Sequence, residues 1–222
     1  SPAWLVEYMK SIGERSINNL VDISNYVTFE LGHPSHLFDL DRLPENKILV
    51  RRAKQGEKII TLDAKQHKLS ENNLLITSKD KPIALAGIMG GLNSAVTDQT
   101  KNIFIESAYF DPVTIRKSAK SLFLSTEASK RYERGVDPNG CINAFSRVVS
   151  LICEVTKGEL VSEVIDEYPN QIIPREVNLR RSEIDLVLGY HIKDEIINET
   201  LNLLEFEYTI KNNMWVCIIP TF

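Results

Sequence analysis

Cysteine is scarce in this chain: Cys141, Cys153 and Cys217 are the only three in 222 residues. None sits in a CxxC or Cys/His spacing of the kind that binds zinc. Cys141 and Cys153 fall on one predicted helix, roughly 18 Å apart by helical rise, which is too far for a disulfide. A reducing, cytoplasmic setting is therefore expected. No apolar run approaches the ~20 residues that span a bilayer, and no signal-peptide pattern opens the sequence. Internal repeats and low-complexity segments are lacking too. The glycine-rich run Gly87-Ile88-Met89-Gly90-Gly91 has no Lys-Ser/Thr after it and does not fit GxGxxG, which argues against a phosphate-cradling loop. No nucleophile elbow is present. The chain has no initiator Met and closes on Pro220-Thr221-Phe222. Residues 214–219 read as a strand with nothing following to pair with it. Both ends are therefore expected to be cuts, and the chain an internal piece of a larger intracellular protein.

Basic charge is not in excess either. The formal net charge is −4, so the bulk balance does not advertise nucleic-acid binding. Locally it is different: Arg116, Lys117, Lys120, Lys130, Arg131 and Arg134 fall within nineteen residues, offset by Glu127 and Glu133. A solvated helix face and a phosphate-tracking patch are both compatible with that run.

What is present is an ordinary globular composition, 43% hydrophobic and 25% charged, enough for a sizeable core. Trp4, Leu5, Met9 and Ile12 mark a short helix. Leu20, Ile23, Val27 and Leu31 repeat at helical spacing and predict a helix over 16–31, capped by Gly32 and stopped by Pro34. Arg15, Asn18, Asp22 and Asn25 share another face, either a wet surface or a hydrogen-bonding wall. From 47 to 109 the texture changes to short strands, predicted at 48–52, 58–62, 74–78, 83–88 and 102–107, separated by turn signals. Helices return at Asp111-Pro112, an N-cap followed by proline at N1. Further helices are predicted over 126–134 and from Asp137 to about 156, with another strand over 162–166. A linker at 168–174 precedes a unit of about fifty residues, near the lower limit for independent folding. That unit reads as a helix over 181–188, a helix over 193–204, and a hairpin about Lys211-Asn212-Asn213.

Two residues stand out for chemistry. His36 follows a helix stop, where it reads as a loop histidine. Glu106 ends the apolar run Ile103-Phe104-Ile105, and strand alternation sends it to the same side as Phe104. It is either a strand end reaching water or an inward carboxylate that needs a partner. Taken alone, these residues reach an α+β protein with a small site.

Five runs carry the reading further. They are Ile17-Asn18-Asn19-Leu20-Val21-Asp22-Ile23-Ser24-Asn25-Tyr26-Val27, His36-Leu37-Phe38-Asp39, Ala84-Leu85-Ala86-Gly87-Ile88-Met89-Gly90-Gly91, Ile105-Glu106-Ser107-Ala108-Tyr109-Phe110-Asp111-Pro112, and Thr126 through Pro138. In this order they resemble the beta subunit of bacterial phenylalanine–tRNA ligase. The resemblance implies an editing (tRNA-binding) domain over 1–168, a linker over 169–174, and a small winged-helix-like module over 175–222, truncated at its C-terminus. The implied fold class is α+β, a mostly antiparallel sheet with flanking helices. The implied activity is hydrolysis of tyrosine wrongly attached to the phenylalanine tRNA; the alternative is a non-catalytic tRNA-binding and structural module of the same synthetase.

Carried over by position, the resemblance makes Glu106 the reader of the tyrosine hydroxyl and His36 the site histidine. Thr126 becomes a polar wall, Gly90 a backbone lining, Ala128 the small residue that leaves room for the ring, and Asn25 a contact to the amino acid. With tRNA as the implied partner, the basic run read from local charge offers Arg116, Lys117, Lys120, Lys130 and Arg131 as tRNA contacts. No cofactor or metal is expected in this piece, whereas ATP and magnesium are implied for the whole enzyme, with an alpha subunit partner in an α2β2 assembly. The chain departs from the family at Ser24 (usually Thr), His33 (Gln), Leu37 (Ala), Phe123 (Gly) and Ser125 (basic).

Overall fold

The computed structural model describes residues 1–222, and its contacts divide them into two compact units, Ser1–Glu163 and Val164–Phe222. The first unit opens with α1 (Ala3–Ser11) and α2 (Asn19–Leu31). The second helix starts three residues later than its periodicity suggests, because the Asn18 side chain accepts from the Val21 N–H and caps it. Gly32 ends it at φ 71°, the left-handed value for which glycine carries no Cβ penalty.

The chain then enters β1 (Ser35–Asp39) and a series of short strands. These are β2 (Leu49–Arg52), β3 (Lys58–Ile60), β4 (Gln66–Lys68), β5 (Leu74–Ser78), β6 (Lys81–Leu85), β7 (Met89–Gly90) and β8 (Ile103–Ser107). All pairings are antiparallel, but they form separate small sheets: β1 with β8, β3 with β4, and β2-β5-β6-β7. Three helices complete the unit: α3 (Pro112–Ser121), α4 (Glu127–Tyr132) and α5 (Cys141–Thr156), the last preceded by a 3-10 turn over Pro138–Gly140. Asp111 caps α3 with Pro112 at N1, as the local sequence demands. Residues 162–166 form no strand, since this short apolar stretch meets no partner to pair with.

The β1–β8 ribbon divides this unit into two cores. Leu37, Ile103 and Ile105 turn to one side and pack with Leu5, Ile23, Val27, Ala144, Val148, Leu151 and Ile152 of the helices. Phe38 and Phe104 turn to the other and join the larger core of the four-stranded sheet, α3 and α4. Period-two alternation along each strand produces this division.

The second unit contains β9 (Glu176–Arg180), α6 (Arg181–Leu188), α7 (Asp194–Leu203), β10 (Glu207–Lys211) and β11 (Met214–Ile218). The strand at 214–218 is not left unpaired: it is the middle of a three-stranded sheet, with β10 on one side and β9 on the other. Asn212 and Asn213 both have positive φ, 51° and 62°, as a tight hairpin turn requires. The core here is Ile197, Leu201, Trp215 and Cys217. The Trp215 indole donates to the Asn198 side chain at 2.7 Å. No helix of either unit is long and apolar enough to cross a membrane.

Candidate functional site

His36 is not a loop residue. It sits inside β1, directly opposite Glu106 of β8 in the antiparallel register. Opposed residues on one face place their Cβ atoms about 5 Å apart, so the imidazole and the carboxyl face the same space. Phe38, next on that face, stacks edge-on against the His36 ring with centroids 4.5 Å apart.

Both residues are half-buried. The Nε2 of His36 is buried and has no hydrogen-bond partner. Burial alone pushes the His36 imidazole down to about 4 and the Glu106 carboxyl up to about 7. No cation and no hydrogen bond opposes burial at either one, which sets this pair apart from the surface ion pairs of the chain. At neutral pH the imidazole is uncharged, and the carboxyl is poised between its two forms.

Gly90 closes the space on the imidazole side. A Cβ built there would lie 2.4 Å from Cε1 and 2.5 Å from Nε2 of His36, and 3.2 Å from Cδ1 of Leu62. The glycine therefore lets the β7 backbone lie flat against the histidine ring. The loop around it is internally bonded: the Ile88 N–H donates to Leu85, the Gly91 N–H to Ile83, and the Gly90 carbonyl accepts from Leu62 at 3.1 Å.

The short helix α4 holds these pieces together. Thr126 is its N-cap, accepting from the Ser129 N–H at 3.0 Å, and its hydroxyl donates to the Ile88 carbonyl at 2.8 Å. Tyr132, at the other end, donates from its buried hydroxyl to the Pro34 carbonyl at 3.0 Å, two residues before His36. Its ring rests on Phe110 and over Gly87. Burial, reinforced by the nearby Glu106 carboxyl, pushes the Tyr132 phenol well up from its ordinary value. Ala128, two residues into this span from Thr126, is half-buried against the sheet-side core.

Asn25 is placed differently. It lies on α2, which packs against the opposite face of the ribbon through Ile23 and Val27. Its neighbour Ser24 donates to the Ser35 carbonyl at 2.8 Å, fixing α2 beside His36. Asp22 of the same polar stripe is fully buried and accepts from the hydroxyls of Ser1 and Ser16 and from the Ile17 N–H. That part of the stripe is internal scaffolding.

The basic run also separates into two kinds. Lys130 and Arg131 both pair with Glu127, at 2.7 and 2.8 Å, and the Arg131 guanidinium lies 4.8 Å from the Phe29 ring centroid. Arg116, Lys117 and Lys120 are exposed on α3, and no carboxylate occurs between Asp111 and Glu127. Lys117 also borders a shallow polar hollow of about 790 Å³, whose rim includes Arg52, Lys54, Glu71 and Asp111. No group of three or more His, Cys, Asp or Glu side chains is placed to hold a metal ion.

Sequence reasoning missed Tyr132 and the buried state of His33. The His33 ring is 3% exposed, its Nε2 unpartnered, and burial lowers its titration against the pull of Asp137 and the Ala108 carbonyl. The flanking Gly32 and Pro34 carry no signal of it, since the His33 ring is covered from a distance in sequence, with Tyr132 edge-on at 6.4 Å between centroids.

The sequence pattern of the B3/4 domain matches residues 1–157. The phenylalanine–tRNA ligase beta subunit of Thermotoga maritima is 42% identical over the whole chain, which spans 28% of that protein. The beta subunit of Geobacter metallireducens is 45% identical over 95% of the chain, spanning 26% of its own length. The chain thus covers little more than a quarter of these relatives. An N-terminal fragment of the phenylalanyl-tRNA synthetase beta subunit from Pyrococcus horikoshii overlays 91% of this chain and 60% of its own, at 16% identity and a TM-score of 0.43. With more than two-thirds of its residues inside the defining pattern, this chain belongs to the B3/4 domain family.

Proposed function

We propose that the first unit hydrolyses an aminoacyl ester, removing tyrosine mischarged onto the phenylalanine tRNA, with Glu106 reading the phenol hydroxyl. One observation carries this reading: a carboxyl and an imidazole stand opposite each other across a ribbon, the imidazole Nε2 buried and unpartnered, and burial alone shifts the titration of each. A fold keeps such groups at a cost, and a ligand that hydrogen-bonds them offsets it.

Tyrosine and phenylalanine differ by one hydroxyl. An apolar pocket rejects an added hydroxyl by only about 10²-fold, so a second site built around a polar group discriminates where the first cannot. The phenol of tyrosine donates to the Glu106 carboxylate. Phenylalanine in the same place displaces water from that carboxylate and returns nothing, at a cost of roughly 1–3 kcal/mol or more for a charge. Ala128 leaves room for the ring, and Thr126 and Tyr132 fix the loop and strand on either side of it.

Water attacks the ester carbonyl and the C–O bond to the ribose breaks; one proton of the water goes to the departing ribose oxygen, which becomes a hydroxyl, and the other passes to solvent as tyrosine leaves with its carboxyl ionised. An imidazole held near 4 is a weak base at neutral pH. The role that fits His36 is therefore to orient the water or the ester by hydrogen bond, with the tRNA's own terminal hydroxyl as the alternative proton acceptor. The partners that follow are tRNA and, for synthesis, an alpha subunit in an α2β2 assembly using ATP and magnesium outside this chain.

The alternative, a tRNA-binding module without catalysis, draws support from the exposed cations of α3. Deacylation of Tyr-tRNA and Phe-tRNA separates the two readings. Parent protein is expected to hydrolyse the tyrosyl ester selectively, and Glu106→Ala to lose that selectivity by tenfold or more. Unchanged hydrolysis and unchanged Tyr/Phe discrimination in Glu106→Ala would remove Glu106 from the role.

A further inference from the structure

The connection between α3 and α4 contains a side chain that the fold does not use. The α3 helix ends in a two-bond motif in which Leu124 N–H donates to Ala119 at 3.0 Å and Phe123 N–H to Lys120 at 3.3 Å. That motif puts the residue after the C-cap in the left-handed region, a place glycine fills most readily. Here it is Phe123, at φ 54°. The other non-glycine residues at positive φ are alanine, lysine, aspartate, glutamate and asparagine. Phe123 alone is large and apolar, and the residue is 96% exposed. Neither packing nor backbone preference accounts for it, so the strain and the exposed ring point to use outside the fold.

Its surroundings say what kind of use. Lys120 lies in the last turn of the same helix, with Arg116 one turn behind it and Lys117 beside it. No carboxylate intervenes until Glu127, which is already occupied by Lys130 and Arg131. Three residues beyond Phe123, Thr126 is tied to the glycine loop of the site. Lys117 shares its side of the helix with Asp111, which leaves Arg116 and Lys120 as the cations nearest to uncommitted. An aromatic face standing beside such cations is the arrangement that binds single-stranded nucleic acid, the ring stacking on a base while cations follow the phosphates.

We propose that Phe123 is a stacking platform for an unpaired base at the 3′ end of an RNA. Arg116, Lys117 and Lys120 lie along the phosphates and lead the strand's terminal ester toward His36 and Glu106. The inference rests on the ester-hydrolase reading for its direction, though not for the contact itself.

The test uses the 222-residue chain and a six-nucleotide single-stranded RNA ending in CCA, with 2-aminopurine in the last position. Stacking quenches that base, and parent chain is expected to quench it on binding. Phe123→Gly should weaken binding about tenfold and abolish the quench. It should also raise the melting temperature by a few degrees, because glycine relieves the left-handed strain. That rise removes misfolding as an explanation for lost binding. Phe123→Trp should keep the quench, and Lys120→Gln should lower the salt dependence by about one phosphate contact without touching it. No quench in the parent, or equal binding and quench in Phe123→Gly, overturns the proposal. The same preparations assayed for Tyr-tRNA hydrolysis keep the two readings apart. A Phe123-dependent quench without hydrolysis sinks the esterase and leaves the platform, whereas hydrolysis with a kcat/KM unchanged by Phe123→Gly and no change in quench does the reverse.

Discussion

The two faces of the β1–β8 ribbon are built from alternate residues of the same ten, yet they do opposite things. Leu37 and Ile105 face the helices and disappear into a dry core with Ile23 and Val27. His36 and Glu106, one residue along on each strand, face the sheet and carry two titratable groups shifted by burial, the Nε2 of His36 without a hydrogen-bond partner. The first face supplies stability by removing apolar surface from water. The second gives some back, since holding a carboxyl at about 7 disfavours its charged form. The ribbon is thus a partition: one side anchors it so that the other can hold an unstable pair in place.

The largest expected effect strikes the dry side. Ile23→Ala removes a wholly buried side chain that packs on Leu37 and should cost about 4 kcal/mol in urea denaturation. The pH dependence of stability should remain that of the parent. A substantial change in that dependence would mean the ribbon does not isolate its two faces.

Next comes the wet side, where the sign is informative. In the folded chain His36 titrates at about 4 and Glu106 at about 7, against ordinary values of 6.5 and 4.5. Between roughly pH 4.5 and 6.5 the unfolded chain carries His⁺ and Glu⁻ where the folded chain carries neither charge. The proton counts match, so these two contributions cancel across that window. Glu106→Gln leaves the depressed histidine alone, and stability should then rise with pH from about 4 to 6.5. His36→Gln leaves the raised carboxyl alone, and stability should fall from about pH 4.5 to 7. Each slope should amount to on the order of 3 kcal/mol. Parallel pH profiles for both variants would show that the two groups are not enclosed as a pair.

Why one half of this pair was legible and the other was not follows from where the information lies. Glu106 announced itself locally, because a carboxylate at the end of Ile103-Phe104-Ile105 must alternate to the side of Phe104. His36 could not, since β1 has no alternation of its own and becomes a strand only by pairing with residues some seventy positions away. The same reason hid β9, which is polar on most of its length and exists through β11, and it explains the strand expected at 162–166 that has no partner. Helices were easier: Gly32, Asp111-Pro112 and Gly189 mark ends through bonds to their own neighbours. Arg131 and Lys130 shared the appearance of the free cations on α3, and only the structure gives Glu127 to both. The functional reading of Glu106 came from resemblance; the geometry then gave the resemblance something to act on.

The smallest effect tests where the two faces meet. Two consecutive carbonyls at the entrance to β1 are gripped from opposite sides: Pro34 accepts from Tyr132 of the sheet side, Ser35 from Ser24 of the helix side. Tyr132→Phe and Ser24→Ala should each cost about 1 kcal/mol, the usual worth of one such bond. Because the two bonds hold consecutive peptide units on either side of Ser35, the segment loosened by one loss gives up less on the second. The double variant should therefore fall short of the sum by about 0.5 kcal/mol or more in a denaturation cycle. Tyr132→Phe alone should leave the midpoint of the Glu106-dependent pH profile in place, since a phenol pushed well up stays uncharged while that carboxyl titrates. Strict additivity would mean that the faces hold the strand independently, and the partition would then be two separate supports with no common anchor.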